Sequence, residues 1–398
     1  MVSLVALIFW GSLSLLVWTY FGYPLLMMLW ARLGSRPIAK DDYLPTISVL
    51  IPAYNEADVI TKKLDNTLEL TYPAEKLEIL VVDDGSTDGT AELVRRYEDQ
   101  GVRLIQQSTR GGKIGAVNRG FENASHEIVV LSDASPIYEP DALQKLVRNF
   151  ADDAVGVVVG TLAVWDSETG VAKQAGMYWR YESALRRWES QTGSTVAVHG
   201  NMFAIRRELY RPLPITTIND EFSIAMEVMR QGYRVVFEPD AISYDEASAT
   251  MQDEFNRRVR INAGRYQALF SSGYLRAPNL GIAFRLFSHK LLRPLAPLFM
   301  ILVFITNGLG LLLSLTQSSN LFLLKTWWWG LLLAGQVAFY GLAWLGWQAE
   351  QQGRRKGIWL SVPYFFVSTN YAALVGLWRW QRRSQKVTWA KRSVSETK

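Results

Sequence analysis

Two uncharged runs, Val2 to Ala31 and Pro294 to Leu324, limit what this chain can fold into more than any other feature. Each exceeds the roughly 20 apolar residues that a helix needs to cross a bilayer. Two further stretches, Trp327 to Trp347 and Ile358 to Trp378, are also uncharged and of similar length. The chain therefore reads as four membrane segments arranged around a soluble portion. With 398 residues, 49% of them hydrophobic, it has room for a full domain beside those segments.

The first run has no basic start and no small-residue cleavage site after it, so residues 1–31 are expected to stay as an anchor rather than leave as a signal peptide. Arg32, Arg36 and Lys40 follow it, and Arg285, His289, Lys290 and Arg293 precede the second run. The positive-inside rule then puts everything between them in the cytoplasm of a multi-pass protein of the cell (inner or plasma) membrane. The absence of Cys agrees with a domain that never meets an oxidising compartment. The net charge of +5 gathers at the membrane flanks and in the tail from Arg379. Membrane lipids explain that balance better than nucleic acid does.

Between the anchors, over residues 45–275, the pattern changes. "ISVLIPAY", "LEILVVDDGS", "VRLIQQ" and "HEIVVLSDAS" are short apolar runs. They alternate with "EADVITKKLDNTLEL", "TDGTAELVRRYED" and "IGAVNRGFENA", which have helical spacing. Nearly all-apolar strands separated by helices imply an α/β fold, a mostly parallel sheet covered on both faces. In such sheets ligands bind at the carboxyl ends of the strands.

Those ends are rich in chemistry. The first is Pro52-Ala53-Tyr54-Asn55-Glu56, the second Asp83-Asp84-Gly85-Ser86, and another Asp133-Ala134-Ser135. Carboxylates on one rim, with a Gly turn between them, suit a ribose, a base edge and a metal-bound diphosphate. Any one of these motifs alone would serve equally as an ordinary strand-to-turn signal. His126, His199 and His289 are scattered and resemble neither a zinc set nor a triad, and none is expected to be catalytic.

The ordered series "PAYNE", "VVDDGSTDGT", "GGKIGAVNRG", "SDAS" with "EPDAL", "GNMFAIRREL", "NDEF", "RRVRI", "FSHKLLRPLAP" and "KVTWAKR" resembles the membrane-integrated inverting glycosyltransferases of family 2, such as cellulose, hyaluronan and poly-N-acetylglucosamine synthases. The resemblance implies a Rossmann-like (GT-A type) cytosolic domain that uses a UDP-sugar. It implies that Pro52, Ala53, Tyr54 and Glu56 line the uridine pocket, that Asp84 accepts from the base, that Lys113 lies near the donor, and that Asp133 begins a metal site for Mg²⁺ or Mn²⁺. In the family, the second member of an acidic pair at a helix start takes the acceptor proton. Counting back from Gly232 makes that Glu221, with Asp220 before it, the reverse of the usual Glu-Asp order. The same two residues would also serve simply as a helix start, Asp220 capping and Glu221 complementing the dipole.

Two further departures bear on function. Where polymerising members carry Gln-x-x-Arg-Trp, this chain has Arg257-Arg258-Val259-Arg260-Ile261. Arg257 and Arg260 remain suited to a diphosphate, but the loss of Trp to Ile261 puts processive synthesis in doubt. A basic helix resting on lipid headgroups is the other reading of this stretch. Ser135 stands where the family has a second Asp, which weakens the metal site without abolishing it, since Mg²⁺ relies on few carboxylates and on substrate phosphates.

Residues 276–293 read as an interfacial helix, 294–380 as a C-terminal membrane region, 381–398 as a basic tail, and Trp327 to Trp329 as an aromatic belt. Four crossings would leave the basic tail outside, against the positive-inside rule. Either Pro363 breaks the last segment into a re-entrant or interfacial pair, which returns the tail to the cytoplasm, or the tail is an exception to the rule. A cytoplasmic tail is the expectation, because "KVTWAKR" resembles the cytosolic end found in the family. The expected activity is transfer of a sugar with inversion to a growing polysaccharide or a lipid-linked acceptor. A single-sugar glycolipid transferase and a non-catalytic nucleotide-sugar-binding protein stay open as alternatives.

Overall fold

A computed structural model describes residues 2–165, 170–246, 250–316, 325–354 and 357–387. The strands are β1 (Ile47–Ala53), β2 (Leu77–Asp83), β3 (Val102–Gln106), β4 (Ile128–Leu131), β5 (Ile137–Tyr138), β6 (Val155–Trp165), β7 (Phe203–Arg206) and β8 (Arg234–Glu246). They form one sheet in the order β3-β2-β1-β4-β7-β6-β8-β5. β3, β2, β1 and β4 run parallel, β7 is antiparallel to both neighbours, and β6 pairs parallel with β8. The sheet is thus mixed and mostly parallel.

Every residue of β1 is buried, and the reason is in its alternation. Leu50 packs into one apolar core with Leu80, Val82, Val129 and Leu131, while Ile47, Val49 and Ile51 pack into a second with Ile79, Val81 and Val130. A strand covered on both faces must be apolar on both. Helices α3 (Ile60–Leu68), α4 (Thr90–Arg95), α5 (Gly112–Asn123) and α6 (Ala142–Val147) supply part of the cover. On α5, a Cβ at Gly120 would fall 2.2 Å from Leu50 Cδ1, so only Gly lets this helix lie so close to β1. That close packing fixes where the start of α5, and with it Lys113, points.

The membrane part comprises α1 (Val2–Val17), α2 (Tyr23–Leu33), α10 (Leu280–Arg285), α11 (Leu292–Thr316), α12 (Thr326–Gln351) and α13 (Ile358–Gln381). Four helical runs are long and apolar enough to cross a membrane: Ser3–Leu33, Leu280–Leu315, Thr326–Gln351 and Ile358–Gln381. The wide turn at Trp18–Gly22 continues α1 into α2, and a similar turn at Leu286–Leu291 joins α10 to α11. Trp18 in the first donates to Ser288 in the second at 3.1 Å. Helix α7 (Gly170–Gln191) ties the soluble domain to them, because Glu189 accepts from Tyr23 at 2.5 Å and lies 2.8 Å from His289.

Two expectations fail here. Trp329 is no belt residue: it is fully buried, against Phe9 and Val303, and its ring fills the space left by Gly310. Only Trp327 and Trp328 are exposed. Pro363 does not break the last segment, since α13 runs through it without interruption. Instead α13 lies along α9 (Met251–Tyr266). Phe255 stacks on Tyr371 at 5.7 Å, a Cβ on Gly376 would meet Asn262 and Val259, and Trp380 donates to Ser271 at 3.2 Å. The end of α12, at Glu350 and Gln351, shares a 440 Å³ pocket with Gln252 and Glu254 from the first turn of α9 and with Tyr364 and Tyr371 of α13. The part of "KVTWAKR" from Thr388 onward lies outside the described residues.

Candidate active site

Lys113, in the first turn of α5, is the hub of the site. Its Nζ lies 3.0 Å from Asp133 Oδ1, 3.2 Å from Asp220 Oδ2 and 2.7 Å from Glu221 Oε1. Asp133 follows β4, and Asp220 and Glu221 open α8 (Asp220–Arg230), where the helix dipole favours carboxylates. Three carboxylates from two elements therefore share one ammonium. Burial first, then repulsion from Asp220, raises the Glu221 carboxyl to about 7, with Lys113 pulling the other way. Glu221 also presses on the backbone, since a Cβ at Gly200 would sit 2.0 Å from its Oε1.

On the neighbouring rim, Asp84 is fully buried, and its carboxylate accepts from the N–H of Gly111 at 2.6 Å and of Gly112 at 2.8 Å. The glycine loop thus engages one lone pair on each oxygen. Gly112 has φ +74°, which explains the Gly at that position. Arg110 from the same loop lies 3.7 Å over the ring of Tyr54. Pro52 and Ala53 are buried in β1, and Glu56 is tied by its N–H to Thr90 at 2.9 Å. Asn55 adopts φ 55°, and its side-chain Oδ1 accepts from the Thr87 N–H at 2.8 Å, which joins the first two strand ends.

Ser135 does not leave the rim short of a second carboxylate. It donates to Asp245 Oδ1 at 3.1 Å, and Asn201 donates to Asp245 Oδ2 at 3.0 Å. Asp245 comes from the end of β8 and is buried. Beneath it, Lys63 donates to the carbonyl of Pro136 at 2.8 Å. Burial brings its pKa down to about 7 against the attraction of Asp133 and Asp245. Among the described residues no three His, Cys, Asp or Glu side chains are grouped to hold a metal ion by themselves. Asp133, with its side chain 32% exposed, and Asp245 offer hard oxygens only, a donor set that fits Mg²⁺ or Mn²⁺ provided substrate oxygens complete the shell.

Lys113, Asp133, Asp220, Glu221, Arg257 and Arg260 line one cavity of 720 Å³. Its walls continue past the carboxylates to Tyr20, Phe21, Phe339 and Phe366 in the membrane part. Arg257 makes two bonds to Glu254, both at 2.9 Å, and Arg258 makes one at 2.7 Å. Pro52, Ala53, Tyr54, Glu56, Asp84 and Ser135 are not among the residues that line it.

A parallel-sheet rim of carboxylates around a lysine, above a cavity that opens on apolar helices, is the setting in which the comparisons gain meaning. Residues 48–213 match the model of Glycosyl transferase family 2. Over those residues the chain is similar to a family 2 glycosyltransferase domain. Poly-beta-1,6-N-acetyl-D-glucosamine synthase of Staphylococcus aureus (strain MSSA476) is 28% identical over 243 residues, 60% of this chain and 58% of that protein. The probable glycosyltransferase YdaM of Bacillus subtilis (strain 168) is 28% identical over 260 residues, 61% of each chain. The match thus spans less than two thirds of either relative. A solved structure, the mannosyltransferase PcManGT from Pyrobaculum calidifontis in complex with GDP-Man and Mn²⁺, aligns with TM-score 0.72 and 24% identity over 97% of this chain and 100% of its own. That likeness shows the fold, a GT-A-like domain with its apolar helices.

Three residues at this candidate site escaped sequence reasoning. Gly200 is needed for the approach of Glu221, and its only signal is a lone Gly ahead of β7. Asp245 ends the apolar run "ISYDE" just as Asp83 and Asp133 end or follow theirs, so the same strand-end rule would have found it. Arg110 over Tyr54 had no signal beyond the charge beside "GGK".

Proposed function

We propose that this protein is a membrane glycosyltransferase that moves a sugar from a nucleotide-diphosphate sugar to an acceptor hydroxyl at the membrane, with inversion. The observation that carries the reading is the convergence of Asp133, Asp220 and Glu221 on Lys113 in a cavity that reaches the apolar helices. Glu221 acts as the general base, because its raised pKa sets it near the operating pH. It takes the acceptor proton while the acceptor oxygen attacks the anomeric carbon and the nucleoside diphosphate departs. Asp220 orients Glu221, and Arg257 and Arg260 face the departing diphosphate. Asp133 and Asp245 would hold Mg²⁺ or Mn²⁺, which supplies positive charge to the leaving group. For the base, UDP is the first choice. The GDP-Man complex of PcManGT makes GDP-sugars the second.

The likeness to a poly-N-acetylglucosamine synthase supports a polysaccharide product. Ile261 on the cavity wall, in the place of an acceptor-side Trp, favours a single transfer. The membrane arrangement follows from α13. Its half from Tyr371 to Trp380 lies along α9, while Leu360 and Tyr364 pack on Gly346 of α12, and this supports a helix that lies along the membrane surface rather than crossing it. Three crossings would then put the soluble domain and the basic tail from Arg379 on the cytoplasmic side, in keeping with the positive-inside rule.

The test is nucleoside diphosphate release by the purified full chain across UDP- and GDP-sugars, with Mn²⁺, Mg²⁺ or chelator, and sizing of the product. Release with one donor supports the reading. No release and no transfer with any of them, from protein that binds nucleotide, would establish a binding protein instead.

A further inference from the structure

Past the carboxylates, the cavity becomes cationic before it becomes apolar. Its lining includes Arg260 and Arg265 of α9, Lys290 between α10 and α11, and Arg293 at the start of α11. Several cations of this wall are already matched. Lys113 serves the three carboxylates, Arg257 and Arg258 share Glu254, and Arg293 pairs with Glu182. Arg260, Arg265 and Lys290 have no carboxylate within ion-pairing distance among the described residues. Arg265 makes one long bond, 3.4 Å, to the neutral Asn262. Lys290 is only 6% exposed and has no hydrogen bond or ion pair among the described residues, its nearest aromatic face being Phe222 at 5.5 Å. Arg265 is near enough to repel it. Arg186 repels Lys290 as well, and Glu182 and Glu189 attract it only from beyond contact distance. A buried cation with no anion in contact is costly, and a second cation beside it, the half-buried Arg265, makes it more so. An anion seated between the two would offset that cost.

The geometry also says which side that anion comes from. On the transferase reading the donor enters at the ends of β1, β2 and β4, with Arg257 and Arg260 toward its diphosphate. Arg265 and Lys290 sit on the segments that lead into the membrane, and the cavity runs on to Phe21, Phe339, Val362 and Phe366. These rings and methyl groups suit an alkyl or isoprenoid chain, with Tyr20, Thr369 and Asn370 the polar side chains among them.

We propose that Arg265 and Lys290 form an acceptor subsite for the phosphate of a membrane lipid whose headgroup also carries the hydroxyl that receives the sugar. The proposal rests on the transferase reading above. The phosphate anchors the headgroup between the two cations, the chain lies among the phenylalanines, and the hydroxyl is presented to Glu221. In the transfer, the O–H proton goes to Glu221, the oxygen forms a bond to the anomeric carbon, and the anomeric C–O bond to the diphosphate breaks with its electron pair on the leaving group. The lipid phosphate is neither formed nor cleaved.

The experiment uses the full chain in detergent and needs no donor. Binding of phosphatidylglycerol, phosphatidylcholine, glycerol 1-phosphate and inorganic phosphate is measured by native mass spectrometry and by calorimetry, with UDP and GDP binding followed in parallel. The expected result is preferential retention of phosphatidylglycerol, weakened by about tenfold to hundredfold in Lys290→Gln and Arg265→Gln, as loss of a charge-assisted bond to phosphate implies. Lys290→Arg should restore it. Equal binding by both substituted chains, with nucleotide binding intact, overturns the subsite. Equal affinity for glycerol 1-phosphate and phosphatidylglycerol overturns the lipid as its occupant. Retained lipid with no sugar transfer to it or to any other acceptor counts against the transferase reading and leaves the phosphate site standing.

Discussion

Gly200→Ala isolates the position of Glu221 from its charge. A Cβ at residue 200 would lie 2.0 Å from Glu221 Oε1 and 2.9 Å from its Cδ, with the next contact, Cγ, at 3.3 Å. An ordinary contact needs about 3.5 Å, so the carboxylate must retreat by roughly 1.5 Å. The atom that clashes is the end of a side chain, not backbone, and it can move without unfolding anything. Gly200 has no positive φ, so Ala adds no backbone strain there. Loss of stability should stay below about 1 kcal/mol, the range for substitutions that leave the core and buried hydrogen bonds intact. Turnover is another matter, because a misplacement of about 1 Å in a reacting group lowers rate by about 10²-fold. The assay compares kcat, KM for the donor and thermal midpoint in the purified full chain. The expected pattern is kcat down by about 10²-fold with the donor KM and the midpoint near wild type. Wild-type kcat would show that Glu221 is not the group whose position matters, and a parallel loss of donor binding would show that Gly200 serves the nucleotide.

Glu221→Gln keeps shape but cannot take a proton, so turnover should fall by about 10² to 10⁴ while donor affinity holds, and Asp220→Asn should do less. If the larger loss falls on Asp220, that residue is the base. The pH profile follows from the raised Glu221 pKa: the base must be unprotonated, so kcat/KM should climb with pH to a midpoint at about 7 and level off above it. A profile flat between pH 5 and 8 would remove Glu221 from that role. For the metal, Asp245→Ala should weaken Mn²⁺ binding in the presence of nucleoside diphosphate, read by electron paramagnetic resonance of free Mn²⁺. Ser135→Asp should strengthen it by adding a hard anionic oxygen. An unchanged titration in both would mean that neither residue faces the ion.

The residues that sequence reasoning placed well are those whose role is local to a strand end. "VVDDGS" and "VLSDAS" announce their carboxylates because a parallel strand must stop in a polar turn at the rim where ligands bind, and that relation spans a few residues only. Lys113, Asp133 and Glu221 meet because each begins or ends such an element. Asp245 was missed although it obeys the same rule, because its partner Ser135 is 110 positions away and the pairing of β8 with β5 that joins them leaves no local trace. The surroundings of Asp84 were hidden for a related reason, since its charge is visible in sequence and the glycine N–H groups that bond it are not. Hydropathy failed in the membrane part because it measures composition, not neighbours. Trp329 has the same hydrophobicity in a belt or in a core, and only the missing side chain at Gly310 decides which.

The same limit produced the conflict over the tail. Counting α13 as a crossing gave four spans and an external basic tail, and the remedy sought in the sequence was a break at Pro363. Packing supplies a different one. Asn370, Ala372, Ala373 and Gly376 are buried on α13, and Gly376 lets that helix close against Val259 and Asn262 of α9, while Trp359 and Trp378 stay exposed. A helix with one face on α9 and aromatic residues on another fits the membrane-surface position proposed above. It also backs α9, the helix that carries Arg257 and Arg260, the residues proposed to face the diphosphate. On that proposal, the apolar character of α13 joins the arginine helix to the membrane.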